Sequence, residues 1–198
     1  MSSKPRDRAL IVPSGFRSDQ FAIGLFAAGL DDQLALLLDS VREWEPRHFE
    51  WQAHPGHNTA GMLLAHIAVS ECYWLQVAAQ GLPVDAAADE IMVREIGIRM
   101  DNDGMPVAPA GGHPASLAAK QFPDYEQLLR RARAGTHRVL RGWRDAALHE
   151  PFAQQGRQLS RAWILYHVLE HLSGHFGQVL LLRHQLRDVG MLPPAAAE

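Results

Sequence analysis

One cysteine, Cys72, is present among 198 residues, so no intramolecular disulfide can form and the fold cannot depend on oxidation. Its thiol reads as a small buried hydrophobe. Cationic charge is also short. The chain carries 19 Lys and Arg against 22 Asp and Glu, for a formal net charge of -3, and lysine is especially scarce. Binding to nucleic acid needs a surplus of Lys and Arg on one face, so the charge balance argues against that partner class. The opening MSSKPRDRALIVPSGF has no apolar run ending in a small-residue cleavage site, and no stretch reads as long enough for a membrane span. The expectation is a cytoplasmic protein with no membrane partner. Strand-period alternation and internal repeats are missing too, which leaves an all-α class.

Helical periodicity fills the space. Apolar residues make up 47% of the chain, enough for one domain over 1–198 with a full core. After a loose polar arm over 1–19, Leu25, Leu30, Leu34, Leu37, Val41 and Trp44 outline a first amphipathic helix from Phe21 to Trp44, followed by a loop over 46–57. A second helix is predicted from Asn58 or Thr59, both good N-caps, to Gln80, with Gly81 and Pro83 ending it. It is apolar nearly all round, as a buried helix would be. A third helix is expected from Asp124 to Leu148 and a fourth from the N-cap Ser160 to Leu186, ahead of a tail over 188–198. The stretch 82–121 is rich in Gly and Pro, with room for a short helix at Ala86–Ile96, and reads as a long crossover or pocket wall. Together these predict a four-helix bundle with a long crossover between the second and third helices. The five tryptophans, Trp44, Trp51, Trp74, Trp143 and Trp163, read as core or interface anchors.

Eleven histidines are many for this length, and their placement is informative. His167, His171 and His175 are spaced i, i+4, i+8 on the fourth helix, so neighbours lie about 40° apart on one face and about 6 Å apart along the axis. That spacing lets one helix offer two nitrogens to one metal. Zinc–nitrogen bonds of about 2.0–2.1 Å prevent all three from reaching one ion, so the pair is either His167 with His171 or His171 with His175. His66, mid-helix in the second helix, is the best third ligand. His54, His57, His113, His137, His149 and His184 read as loop or surface residues, with His113 lying in the crossover.

The run His167-Val-Leu-Glu-His171-Leu-Ser-Gly-His175-Phe-Gly177-Gln178, leading into Leu182-Arg183, with Leu64-Ala-His66-Ile-Ala in the second helix, resembles the DinB-like superfamily. That group of four-helix-bundle proteins includes bacillithiol transferases and the metal-binding domain of mycothiol-dependent maleylpyruvate isomerase. The resemblance covers residues 20–187 and implies a metal held by His66, His171 and His175, with His167 beside the site. Family members more commonly carry two adjacent histidines and an Arg before the Gly-Gln; Gly174 and Phe176 stand here instead. Three neutral imidazoles leave a divalent ion its full charge, and a thiol arriving at an open position loses its proton. The resemblance therefore implies transfer of a low-molecular-weight thiol to a small electrophilic substrate. A metal-dependent hydrolase and a non-catalytic metal-binding bundle are the alternatives. Imidazole suits several transition metals, with zinc or nickel the expectation here. Gln178 shares a face with His171 and Tyr73 with His66, so both are pocket candidates; Glu170 and Glu71 are candidates to orient an imidazole. Spare tryptophans suggest a homodimer.

Overall fold

Each helix begins where some group takes up its first amide hydrogens. The computed structural model describes residues 9–99 and 111–194. In it, α1 (Phe21–Val41) has no side-chain cap of its own. Asp145, far along the chain, accepts instead from the amides of Ala22 and Ile23 at 2.9 and 3.1 Å. After the short α2 (Pro46–Glu50), α3 (Ala60–Cys72) is capped by Thr59, whose hydroxyl accepts from Met62 N at 3.2 Å; such a cap stabilises by about 1 kcal/mol. α4 (Ala86–Ile96) is capped by Asp85 and closed by Gly97 at φ +82°. α5 (Phe122–Arg141) starts earlier than the sequence suggested, because Pro123 is tolerated inside a first turn that needs no amide hydrogen from it. It also ends earlier, and a short 3₁₀ turn at Asp145–Ala147 replaces its expected last turns.

A hairpin of β1 (Pro151–Gln154) and β2 (Arg157–Ser160) then leads into α6 (Arg161–Asp188), capped by Ser160. α6 stops at Gly190, whose φ of +72° lets Met191 N donate back to Leu186 O at 2.8 Å. α1 and α3 each pack against both α5 and α6, which makes the all-α bundle that the periodicity predicted. The core runs through residues such as Ile23, Leu30 and Leu37 of α1, Leu64 and Ile67 of α3, and Leu165 and Leu172 of α6. The crossover between α3 and α5 carries α4 across both helices.

Several expectations are corrected. The loop over 46–57 contains α2. The two strands were unforeseen because most of their residues are exposed or half-buried, so no apolar alternation marks them; the Gln155-Gly156 turn, with φ of +50° and +74°, has the positive pair that tight hairpins require. The later part of the N-terminal arm is anchored. Val12 fills the space over Gly24, where a Cβ would meet its Cγ1 at 2.5 Å, and the Arg17 guanidinium donates to the Arg141 carbonyl at 3.2 Å. Ser18–Val41 and Ala60–Gln80 are in fact long and apolar enough to cross a membrane, with mean hydropathies of 1.6 and 1.3. The bundle buries 44% and 78% of those windows, so much of their apolar surface belongs to the core. The expectations for residues 1–8, for 100–110 of the crossover and for the 195–198 tail lie outside the described residues.

Candidate metal centre

α3 and α6 pack side by side, and their contact brings His66 to His171 and His175. His66 Nε2 and His171 Nε2 lie 2.8 Å apart, and His171 Nε2 and His175 Nε2 lie 3.1 Å apart. The ligand atoms of all three fall within 4.8 Å of one another, and all three residues are half-buried. The ring centroids of the three imidazoles are separated by 4.3–4.7 Å. Nitrogens on a tetrahedral zinc, at bonds of about 2.0–2.1 Å, sit roughly 3.3 Å from one another, so the cluster has the dimensions of one ion's coordination shell.

The protonation chemistry fits a cation as well. Burial, reinforced by the neighbouring His175, His66 and His167, pushes the His171 imidazole down to about 3, so its lone pair is free at neutral pH. His175 Nδ1 lies 2.8 Å from Gln178 Oε1. An amide oxygen only accepts, so Nδ1 carries the hydrogen and Nε2 is the bare nitrogen turned toward its neighbours. Gln178 thus fixes the tautomer of His175; the sequence had associated it with the face of His171.

The other candidates separate. His167 stands outside the triad, with its ring centroid 5.9 Å from that of His171. It stacks on Trp163 at 4.8 Å with an interplanar angle of 8°, and Trp74 meets it edge-on at 4.9 Å. Glu170 lies 3.6 Å from His167 Nδ1, so its carboxylate is directed to His167 and not to a triad imidazole. Tyr73 packs edge-on against Trp74, with ring centroids 5.1 Å apart. The last turns of this helix wind as a π segment (Tyr73–Val77) and a 3₁₀ turn (Ala78–Gln80), and the Tyr73 hydroxyl is hydrogen-bonded by Gln154 of β1. Glu71 is buried against α5, where Arg133 and Thr136 donate to it. His113 is bound to Thr59 Oγ1 at 2.8 Å, about 10 Å along α3 from His66. His137, expected at the surface, pairs with Asp31 at 3.1 Å.

The residues that sequence reasoning placed elsewhere are Trp74 and Trp163. They were taken as packing anchors, yet they and His167 form a three-ring wall one helical turn from the triad, with Trp163 40% exposed. The legible signal was Trp163 standing four residues before His167. The signal for Trp74 was hidden, because its ring partners Trp163 and His167 lie far along the chain on α6.

The model of the MST family, mycothiol-S-transferase, matches residues 25–188. No curated protein is matched by the sequence. Among solved structures, a DinB-like protein from Bacillus cereus is similar in fold, with a TM-score of 0.51 and 16% sequence identity; the match covers 87% of this chain and 96% of that one. The family match over most of the chain's length establishes that it belongs to the mycothiol-S-transferase family, and its helical bundle has the fold of that DinB-like structure.

Proposed function

We propose that this protein transfers a low-molecular-weight thiol, of the mycothiol class that the family's description names, to a small electrophilic substrate, using a divalent ion held by His66, His171 and His175. The observation that carries this reading is the convergence of three imidazole nitrogens within 4.8 Å, with His171 kept neutral by burial and by its neighbours. A divalent cation there, zinc or nickel by ligand preference, supplies the positive charge that keeps a thiol deprotonated at neutral pH. The protein's own residues do the rest. His175 is locked by Gln178 with its Nε2 toward the site. Trp74, Trp163 and His167 offer flat, partly exposed faces beside it, suited to holding the electrophile against the sulfur. In the transfer, the thiolate sulfur bonds to the electrophilic carbon and the leaving group departs with the bonding electrons.

Cys72 is not the nucleophile, because burial and the nearby Glu95 and Glu71 push its thiol up to about 12. Hydrolysis by an activated water is less favoured: among the described residues no carboxylate joins the histidine cluster, and Glu71 is committed to Arg133. The test is conjugation of purified mycothiol to a fluorogenic haloalkyl electrophile. Metal-dependent turnover, abolished by a chelator and by His66→Ala, supports the proposal. Turnover at the uncatalysed rate with the metal-loaded protein, across a panel of electrophiles and with mycothiol, bacillithiol and glutathione each tried, refutes it.

A further inference from the structure

A cavity of about 500 Å³ opens between the end of α1, α2 and the last two turns of α6, and none of the triad histidines lines it. Its walls include Trp44 and His48, both buried. His48 is fixed at both nitrogens: Glu45 N donates to Nδ1 at 2.9 Å, and Nε2 lies 3.1 Å from Met191 O. His48 therefore shapes the cavity without offering a free group to it.

The charges facing the cavity are unevenly settled. Arg42 is paired with Asp39 at 2.7 Å, and Arg47 with Glu45 at 2.9 Å. Arg183 and Arg187 also line it, and the Nε of each is buried with no hydrogen-bond partner among the described residues. Once the two ion pairs are set aside, the described lining leaves two guanidiniums and one carboxylate, that of Glu43. A shielded N–H without an acceptor is unfavourable and rare in native structures. Two guanidiniums one helical turn apart also repel each other. Burial, and then the charge of Arg187, lower the pKa of Arg183 accordingly. Arg187 lies in the last turn of α6, where a cation complements the helix dipole; Arg183 lies a full turn earlier, so the dipole does not account for it.

We infer that this cavity binds a small molecule through an oxyanionic group, a carboxylate or a phosphate, held by Arg183 and Arg187. The guanidinium fork matches both groups in bidentate geometry. Bound there, an oxyanion accepts from the terminal amino groups of the two guanidiniums and sits between the two positive charges. The volume lies in the range of small-molecule sites. Arg183 stands eight residues beyond His175, about 12 Å along the helix axis, so this site is distinct from the histidine triad.

The test uses the full chain with two probes, inorganic phosphate and succinate, each titrated against sodium chloride at matched ionic strength. Binding is followed by calorimetry and by the arginine Nε–Hε resonances in ¹⁵N–¹H spectra. The expected result is saturable one-site binding of at least one probe, with two Nε–Hε signals shifting together. Arg183→Gln and Arg187→Gln should each weaken it at least tenfold, while Arg130→Gln, an exposed arginine paired with Glu126, and His171→Ala leave it unchanged. The tighter probe tells phosphate from carboxylate. If the variants fold poorly, the wild-type resonances decide the matter alone. No saturable response to either probe beyond that to chloride, or binding that survives both substitutions, overturns the inference.

Discussion

α3 carries two polar side chains five residues apart that face different neighbours, and the two are resolved in opposite ways. Toward α5, Glu71 is 3% exposed and takes hydrogen bonds from Arg133 Nε at 2.8 Å, Arg133 Nη2 at 3.1 Å and Thr136 Oγ1 at 2.7 Å. Arg133 also donates to Asp31, which His137 approaches as well. Burial works against the charge of the Asp31 carboxyl, but the bonds from His137 and Arg133 outweigh it and hold its pKa below the usual range. Toward α6, His66 meets two more imidazoles, so like groups converge on one point. In the first cluster unlike charges close on one another and nothing further is needed. In the second, three nitrogen lone pairs are gathered, and a cation is the natural complement. Burying polar groups in a bundle does not by itself signal function; burying several of the same polarity against one another does.

That contrast can be broken from either side. His66→Ala should reduce thiol transfer to the uncatalysed background in a steady-state assay, while the thermal midpoint of the metal-free protein stays close to wild type. Glu71→Ala should do the reverse. It leaves the Arg133 charge buried with only Asp31 to face, at a cost of about 3–5 kcal/mol in denaturant unfolding, while the folded protein keeps its metal content. A smaller effect is expected from Gln178→Ala. With the His175 tautomer no longer fixed, metal affinity should fall by about 10–100-fold in competition with a chromophoric chelator.

Trp163→Ala sharpens the comparison further, because that ring is 40% exposed and contributes little to the core. Stability should change by under about 1 kcal/mol, with KM for the electrophile raised and kcat little altered. The smallest effect concerns Cys72, whose thiol is raised from the ordinary 9.0 to about 12. Iodoacetamide at pH 9–10 should leave the native thiol unmodified and label it only in denaturant. Because the unfolded chain ionises first, Cys72 also makes stability fall as pH rises from about 9 toward 12, measurable against Cys72→Ala.

What the sequence disclosed depended on periodicity. α6 was legible because its cap Ser160, its i, i+4, i+8 histidines and the stop at Gly190 all follow local rules, and α3 because Thr59 and Gly81 bracket an apolar run. The hairpin was not legible, since its strands are largely exposed and its turn uses Gln155, a weak turn marker, before Gly156. The start of α1 was placed correctly, but its partner Asp145 lies 123 residues beyond Ala22, so the capping contact had no local signature. Around the candidate centre, the spacing brought His171 and His175 to one face and left their choice over His167 open. The structure groups His66 with His171 and His175 and sets His167 on the aromatic wall. The hydrogen bond to Tyr73 depended on Gln154 of β1, far along the chain, and the place of Glu71 on Arg133, 62 positions away.

The central claim, that the triad exists to hold one cation, is tested most directly by elemental analysis of the purified protein beside its His171→Ala variant, both also after reconstitution with zinc or nickel. The account predicts close to one ion per chain in the wild type and essentially none in the variant, with both folded. Absence of stoichiometric metal in the wild type even after reconstitution, or equal metal in the variant, would contradict it.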